Sequence, residues 1–174
     1  MNRWILLLAA SLLAAACGDG TTVASPSSTG TGPFIFTAQL SAQNEVPPPT
    51  AESTANGAVQ ITMNVTRDSS SAITAATADF VIQMAGLAPD TTFVGAHIHP
   101  GVVGTNGPVI VNTSLSSGTP AQIQNGVATW TFRNITVPTA TAQALIDNPA
   151  GFYFNVHTFT NPGGVARGQV RRTF

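Results

Sequence analysis

The chain has no lysine, one cysteine and one tyrosine, and its six arginines and seven acids make up only 7% of 174 residues. With no basic stripe to neutralise phosphates, nucleic acid is excluded as a main partner. A single thiol, Cys17, closes no intramolecular disulfide and builds no thiolate cage for zinc or iron–sulfur. Serine and threonine are plentiful, yet no serine sits in a Gly-x-Ser-x-Gly elbow, so no nucleophile stands out. Phosphate loops are missing as well, because the glycines between Gly101 and Pro108 are followed by neither lysine nor a helix pattern. Glu45 and Glu52 are the only glutamates and the five aspartates are scattered, which gives no sign of a glycosidase pair. What remains is a chain 43% hydrophobic, too apolar for disorder and long enough for one core-bearing domain. Sixteen glycines and twelve prolines among so few charges point to many turns and an all-β body.

The first 16 residues read as an export signal: Arg3, an apolar run from Trp4 to Leu13, then Ala14, Ala15 and Ala16 ahead of Cys17. The apolar run is shorter than the roughly 20 residues a membrane-spanning helix needs. Small residues before a lone cysteine resemble the bacterial lipoprotein cleavage box, although Ala14 stands where leucine is usual. Cys17 is then the expected lipidation site, and residues 17–32, rich in Gly, Ser and Thr, a flexible tether. This reading places an exported protein in the cell envelope, held to a membrane at the periplasmic side or the cell surface.

Residues 33–174 carry the period of half-buried strands. Phe34, Phe36, Ala38 and Leu40 alternate with polar residues, as do Val59, Ile61, Met63 and Val65, then Phe80, Ile82 and Met84, then Ala128, Trp130 and Phe132, and finally Phe152, Phe154 and Val156. Shorter candidates are Thr92 to His99, Pro108 to Val111 and Gly168 to Phe174. About eight strands between Gly, Pro and Asn turns predict an antiparallel, Greek-key-like β-sandwich or barrel. A short helix is expected near 138–147, after Pro138 and before Asn148-Pro149. Asn106-Gly107 suits a positive-φ turn.

The three histidines fall in two segments, Gly95-Ala96-His97-Ile98-His99 and Asn155-Val156-His157. Strand side chains alternate, so His97 and His99 share a face opposite Ala96 and Ile98, and His157 lies opposite Phe154 and Val156. Were the two strands neighbours, three imidazoles would converge on one copper or zinc ion with a coordination position open. The alternative is three histidines that fasten loops at strand ends. Copper–zinc superoxide dismutases also carry His-x-His on a β-sandwich, but they need more histidines than this chain has.

Five motifs in order, Asn44-Glu45-Val46-Pro47-Pro48, Ala96-His97-Ile98-His99, Gly104-x-Asn106-Gly107-Pro108-Val109, Tyr153-x-Asn155-Val156-His157-Thr158 with Asn161-Pro162-Gly163-Gly164, and Arg167-Gly168-Gln169, resemble the CHRD domain, the module named from chordin. The resemblance runs from about Phe34 to Phe174 and implies the fold and a set of motif positions: Glu45, His97, His99, Asn155, His157 and Arg167. Chordins are extracellular antagonists of bone morphogenetic proteins, a role that does not carry over to exported bacterial single domains. Among those positions, Glu45 and Arg167 are expected to form a bidentate structural pair joining the first and last strands. Asn155 is expected to orient His157 by a hydrogen bond. The function expected is a lipid-anchored, non-enzymatic binding module for a protein or small ligand, with a candidate three-histidine copper or zinc site. The alternative is a mononuclear copper or zinc protein with redox or hydrolytic activity. With no nearby general base to pair with an ion, the binding module ranks first.

Overall fold

The computed structural model describes residues 33–115, 123–124 and 126–173. The expectations for the signal, for Cys17 and for the tether fall on residues outside these. Ten strands follow in order: β1 (Phe34–Ser41), β2 (Asn56–Arg67), β3 (Ile73–Ala85), β4 (Phe93–Pro100), β5 (Val111–Asn112), β6 (Ile123–Gln124), β7 (Val127–Thr136), β8 (Phe152–Thr158), β9 (Ala166–Gln169) and β10 (Arg171–Thr173). One helix, α1 (Thr139–Asp147), precedes β8. No helix among the described residues is long and apolar enough to cross a membrane.

The strands form one antiparallel sheet in the order β5-β4-β8-β9-β1-β2-β3-β7-β6, with β10 also paired to β1. The chain returns through β9 to lie beside β1, the Greek-key move around the β1–β2–β3 meander. The sheet curls into a nearly closed barrel, and Phe93 on β4 meets Trp130 on β7 edge to face at 4.5 Å between centroids. Those two strands lie near opposite ends of the order, so the contact spans the core, as does Phe80 against Phe154 at 5.9 Å. Period-two alternation explains which side chains fill it: Phe34, Phe36, Ala38, Leu40, Val59, Ile61, Met63, Phe80, Ile82 and Met84 are all buried.

Helix α1 starts directly after Pro138 and turns Ala142, Leu145 and Ile146 into the core. Pro138 sits at the cap position, one residue ahead of the expected first helical place. Three further expectations need correction. The strand foreseen over Pro108 to Val111 shrinks to Val111–Asn112, because Pro108 has no N–H to offer a ladder. The strand foreseen over Gly168 to Phe174 is two, β9 and β10, divided at the buried Val170. In the β4–β5 turn the positive φ values belong to Gly101 (155°) and Gly104 (83°), not to Asn106-Gly107. Gly107 is needed for a different reason: a Cβ there would lie 1.9 Å from the Pro100 carbonyl oxygen.

Candidate metal centre

Strands β4 and β8 are neighbours, and their register sets Gly95 opposite His157, His97 opposite Asn155 and His99 opposite Tyr153. On the far side of β8, Asn155 faces Arg167 and Tyr153 faces Gln169 of β9. Directly opposed residues share a face, so these eight residues form one plate on the outside of the barrel, backed by the buried Ala96, Ile98, Phe154 and Val156. The three expected histidines are thereby brought together, with one ligand nitrogen from each lying within 4.8 Å of the others.

Each ring is held by a specific contact. His99 Nδ1 lies 2.9 Å from the Gly107 carbonyl and His157 Nδ1 lies 2.9 Å from the Pro162 carbonyl. A carbonyl only accepts, so both Nδ1 atoms carry the proton and both Nε2 lone pairs point elsewhere. Those two Nε2 atoms, with His97 Nδ1, are buried and have no hydrogen-bond partner. Tyr153 stacks on His99 with the rings 4.9 Å apart and 4° from parallel, while its hydroxyl accepts from the Gly107 N–H at 3.2 Å. Gly95 makes the convergence of rings feasible, because a Cβ there would lie 2.8 Å from His97 Cε1 and 3.6 Å from His157 Cδ2. A glycine inside a strand often marks such a close approach, and that was the signal in the sequence.

Burial lowers the pKa of all three histidines. His97 falls to about 4, first through desolvation and then through the neighbouring His157 and His99. His99 and His157 are also lowered, mainly by desolvation, against the opposing pull of their carbonyl contacts. At neutral pH the cluster is therefore uncharged, the form in which imidazole binds a metal.

The same plate carries the pair foreseen between Glu45 and Arg167, in a different form. Arg167 Nε and Glu45 Oε2 are 4.0 Å apart and no two-bond fork forms. The guanidinium is engaged by loops: Nε donates to the Asn44 carbonyl at 2.6 Å, and Nη1 to the Thr105 carbonyl and Asn106 Oδ1 at 3.0 and 2.8 Å. It also lies over the Tyr153 ring at 4.6 Å. Arg167 thus ties three chain segments rather than one carboxylate. The partners that outcompete Glu45 are backbone carbonyls of loops, whose approach strand alternation does not encode. Nor is Asn155 the group that orients His157, since the Pro162 carbonyl does so and Asn155 Oδ1 is left without a partner.

Sequence reasoning missed Glu52. Its carboxylate accepts from Thr158 Oγ1 and Asn161 Nδ2, both at 2.6 Å, and so fixes the loop whose Pro162 carbonyl holds His157. A lone glutamate in a Pro- and Thr-rich segment gave no hint of this. Glu52→Ala is expected to cost about 1–3 kcal/mol by stranding those donors, read as a lower melting temperature of the metal-free protein. An unchanged melt would show that the loop holds itself.

The family model described as the CHRD domain matches residues 36–170. No curated protein matches the chain.

Proposed function

The chain belongs to the CHRD domain family, and from that starting point we propose that it is an exported, lipid-anchored binding module that holds one copper or zinc ion among His97, His99 and His157. The observation that carries the reading is the set of unpartnered nitrogens. Buried polar atoms are nearly always bonded, yet five of the seven such side-chain atoms lacking a partner among the described residues lie on or against this plate: His97 Nδ1, His99 Nε2, His157 Nε2, Asn155 Oδ1 and Glu45 Oε1. Three of them are imidazole nitrogens gathered in one place, those of His99 and His157 being lone pairs, which is the donor set that zinc and copper favour. Carbonyls on the opposite ring nitrogens of His99 and His157 supply the outer support that metal-bound histidines ordinarily have. Two nitrogen ligands of one tetrahedral zinc ion stand about 3.3 Å apart, so the rings would close in by about 1.5 Å from their 4.8 Å span.

Support for export and anchoring comes from the sequence: Arg3, the apolar run to Leu13 and the small residues before Cys17. Acylation at Cys17 would hold the domain to the membrane through the tether. Histidines that serve only to fasten loops would need one nitrogen each, and would leave no reason for the other lone pairs to face one another.

The test uses the full chain without a histidine tag, extracted from the membrane fraction of an expressing bacterium. Mass spectrometry should find the mature protein beginning at an acylated Cys17. Metal analysis and titration with Zn(II) and Cu(II) should give one ion per chain. Chain recovered unacylated from the soluble fraction would remove the anchor, and no saturable metal uptake would remove the ion.

A further inference from the structure

One buried group beside the histidines has no part in ligation. Glu45 follows β1 at the end of a short 3₁₀ turn (Ala42–Asn44) and is 5% exposed. Its Oε1 has no partner. Both carboxyl oxygens and Asn155 Nδ2 press on the bare Cα of Gly164: a Cβ there would lie 2.7 and 2.8 Å from the oxygens and 2.8 Å from the amide nitrogen. Asn155 in turn is the register partner of His97 and stands two residues before His157 on their face. One side chain therefore separates the carboxyl from the ligand set. On its other side Glu45 lines a groove of about 610 Å³ with Gln43, Asn44, Val46 and Arg167, which gives a proton a way to and from solvent.

We infer that Glu45 is the proton-exchanging group of the metal site, able to hold a proton while the site is metal-free and giving it up through the groove when a divalent cation settles among the histidines. The inference rests on the metal reading above. Its balance is simple: the ion enters, the carboxylic O–H breaks, the carboxylate stays, and the proton passes to buffer. The charged groups facing Glu45 are few. Arg167 on β9 favours the carboxylate, Arg171 on β10 lines the same groove, and the three histidines lie across Asn155. Desolvation outweighs the arginine and the Val46 N–H, lifting the carboxyl to about 7, so that the proton is exchanged near neutral pH. A double positive charge one side chain away reverses that balance, since charges attract strongly where water is scarce. The Glu45 carboxyl, buried with an unpartnered oxygen one side chain from the ligand set, is the acid placed to supply a proton.

The experiment is calorimetric titration of the full chain with Zn(II) between pH 6 and 8 in two buffers of different ionisation enthalpy, which counts protons released per ion bound. The wild type should release a fraction of a proton that grows as the pH is lowered from 8 to 6, and Glu45→Gln close to none, with zinc affinity kept within about tenfold. Infrared difference spectra provide a check that needs no variant: the protonated-carboxyl stretch of wild type should vanish on adding zinc. If zinc binds with no proton released and the carboxyl band unchanged, the inference fails while the metal site stands. Equal release from Glu45→Gln would assign the proton to zinc-bound water and also overturn it. If zinc does not bind, both readings fall together.

Discussion

His157→Ala is expected to weaken zinc binding by more than about 100-fold, and His97→Ala by a similar factor. Removing a group that merely supports a ligand costs 10- to 100-fold in typical metal sites, so loss of a ligand sets a larger expectation. Two imidazoles that remain near one another on a strand pair form no cage, and water would have to fill half the coordination sphere. The two variants probe different donors, Nε2 of His157 and Nδ1 of His97, the atoms left without hydrogen-bond partners. Loss in both would show that the rings act as one set. Metal-free His97→Ala should melt near the wild type, because His97 is only half-buried and the change removes an unsatisfied nitrogen, whereas metal-free His157→Ala also loses the bond to the Pro162 carbonyl and should be about 1 kcal/mol less stable. Zinc at 100 times its Kd should then raise the stability of wild type by about 2.7 kcal/mol and leave the variants unmoved. Binding indifferent to either substitution, followed by titration calorimetry, would make the histidines structural.

Arg167→Ala is expected to be the most destabilising single change on the plate, about 3–5 kcal/mol. The guanidinium is 4% exposed in its side chain and meets backbone or side-chain oxygens of Asn44, Thr105 and Asn106. Its loss strands those acceptors and removes the guanidinium 4.0 Å from a buried carboxyl. For a domain of this size the melting temperature should fall by roughly 10 °C. The deficit should also depend on pH. Because burial raises the folded pKa of Glu45 from 4.5 to about 7, the native state holds its proton more tightly than the unfolded chain, and this group's contribution to stability declines as pH rises through that window. Arg167 offsets part of that decline, and only when Glu45 is ionised. The gap between wild type and Arg167→Ala should therefore be wider at pH 8 than at pH 5, as thermal melts at the two values will show. A gap of equal size at both would mean that the arginine acts through the loops alone. Arg167→Lys should recover little, since a point charge cannot reach three separate oxygens.

Local pattern and long-range pairing contributed differently to this fold. Alternation alone marked β1, β2, β3, β7 and β8, because a strand with one face in the core must place an apolar residue at every second position. The helix was legible from Pro138 and from Asn148-Pro149, which bound it for reasons of backbone chemistry. β9 and β10 were not separable, since Val170 turns inward at their break and a short apolar residue there reads like any other.

The same division runs through the site. By itself the sequence determined that His97, His99 and His157 lie on outward faces, because strand periodicity admits no other arrangement when Ala96, Ile98, Phe154 and Val156 go inward. It also restricted the chemistry to imidazole, with one cysteine and no lysine available. Only the tertiary structure decided that β4 and β8 are neighbours and that Gly95 stands opposite His157, the one-residue register on which the convergence depends. It alone brought the Gly107 and Pro162 carbonyls to His99 and His157, gave the hydrogen bonds of Arg167 to the loops while leaving Glu45 a 4.0 Å ion pair, and set Glu45 against Gly164 beside Asn155. The physical reason is that periodicity is a property of neighbours along the chain, whereas register and loop closure are chosen by the packing of segments up to 138 residues apart.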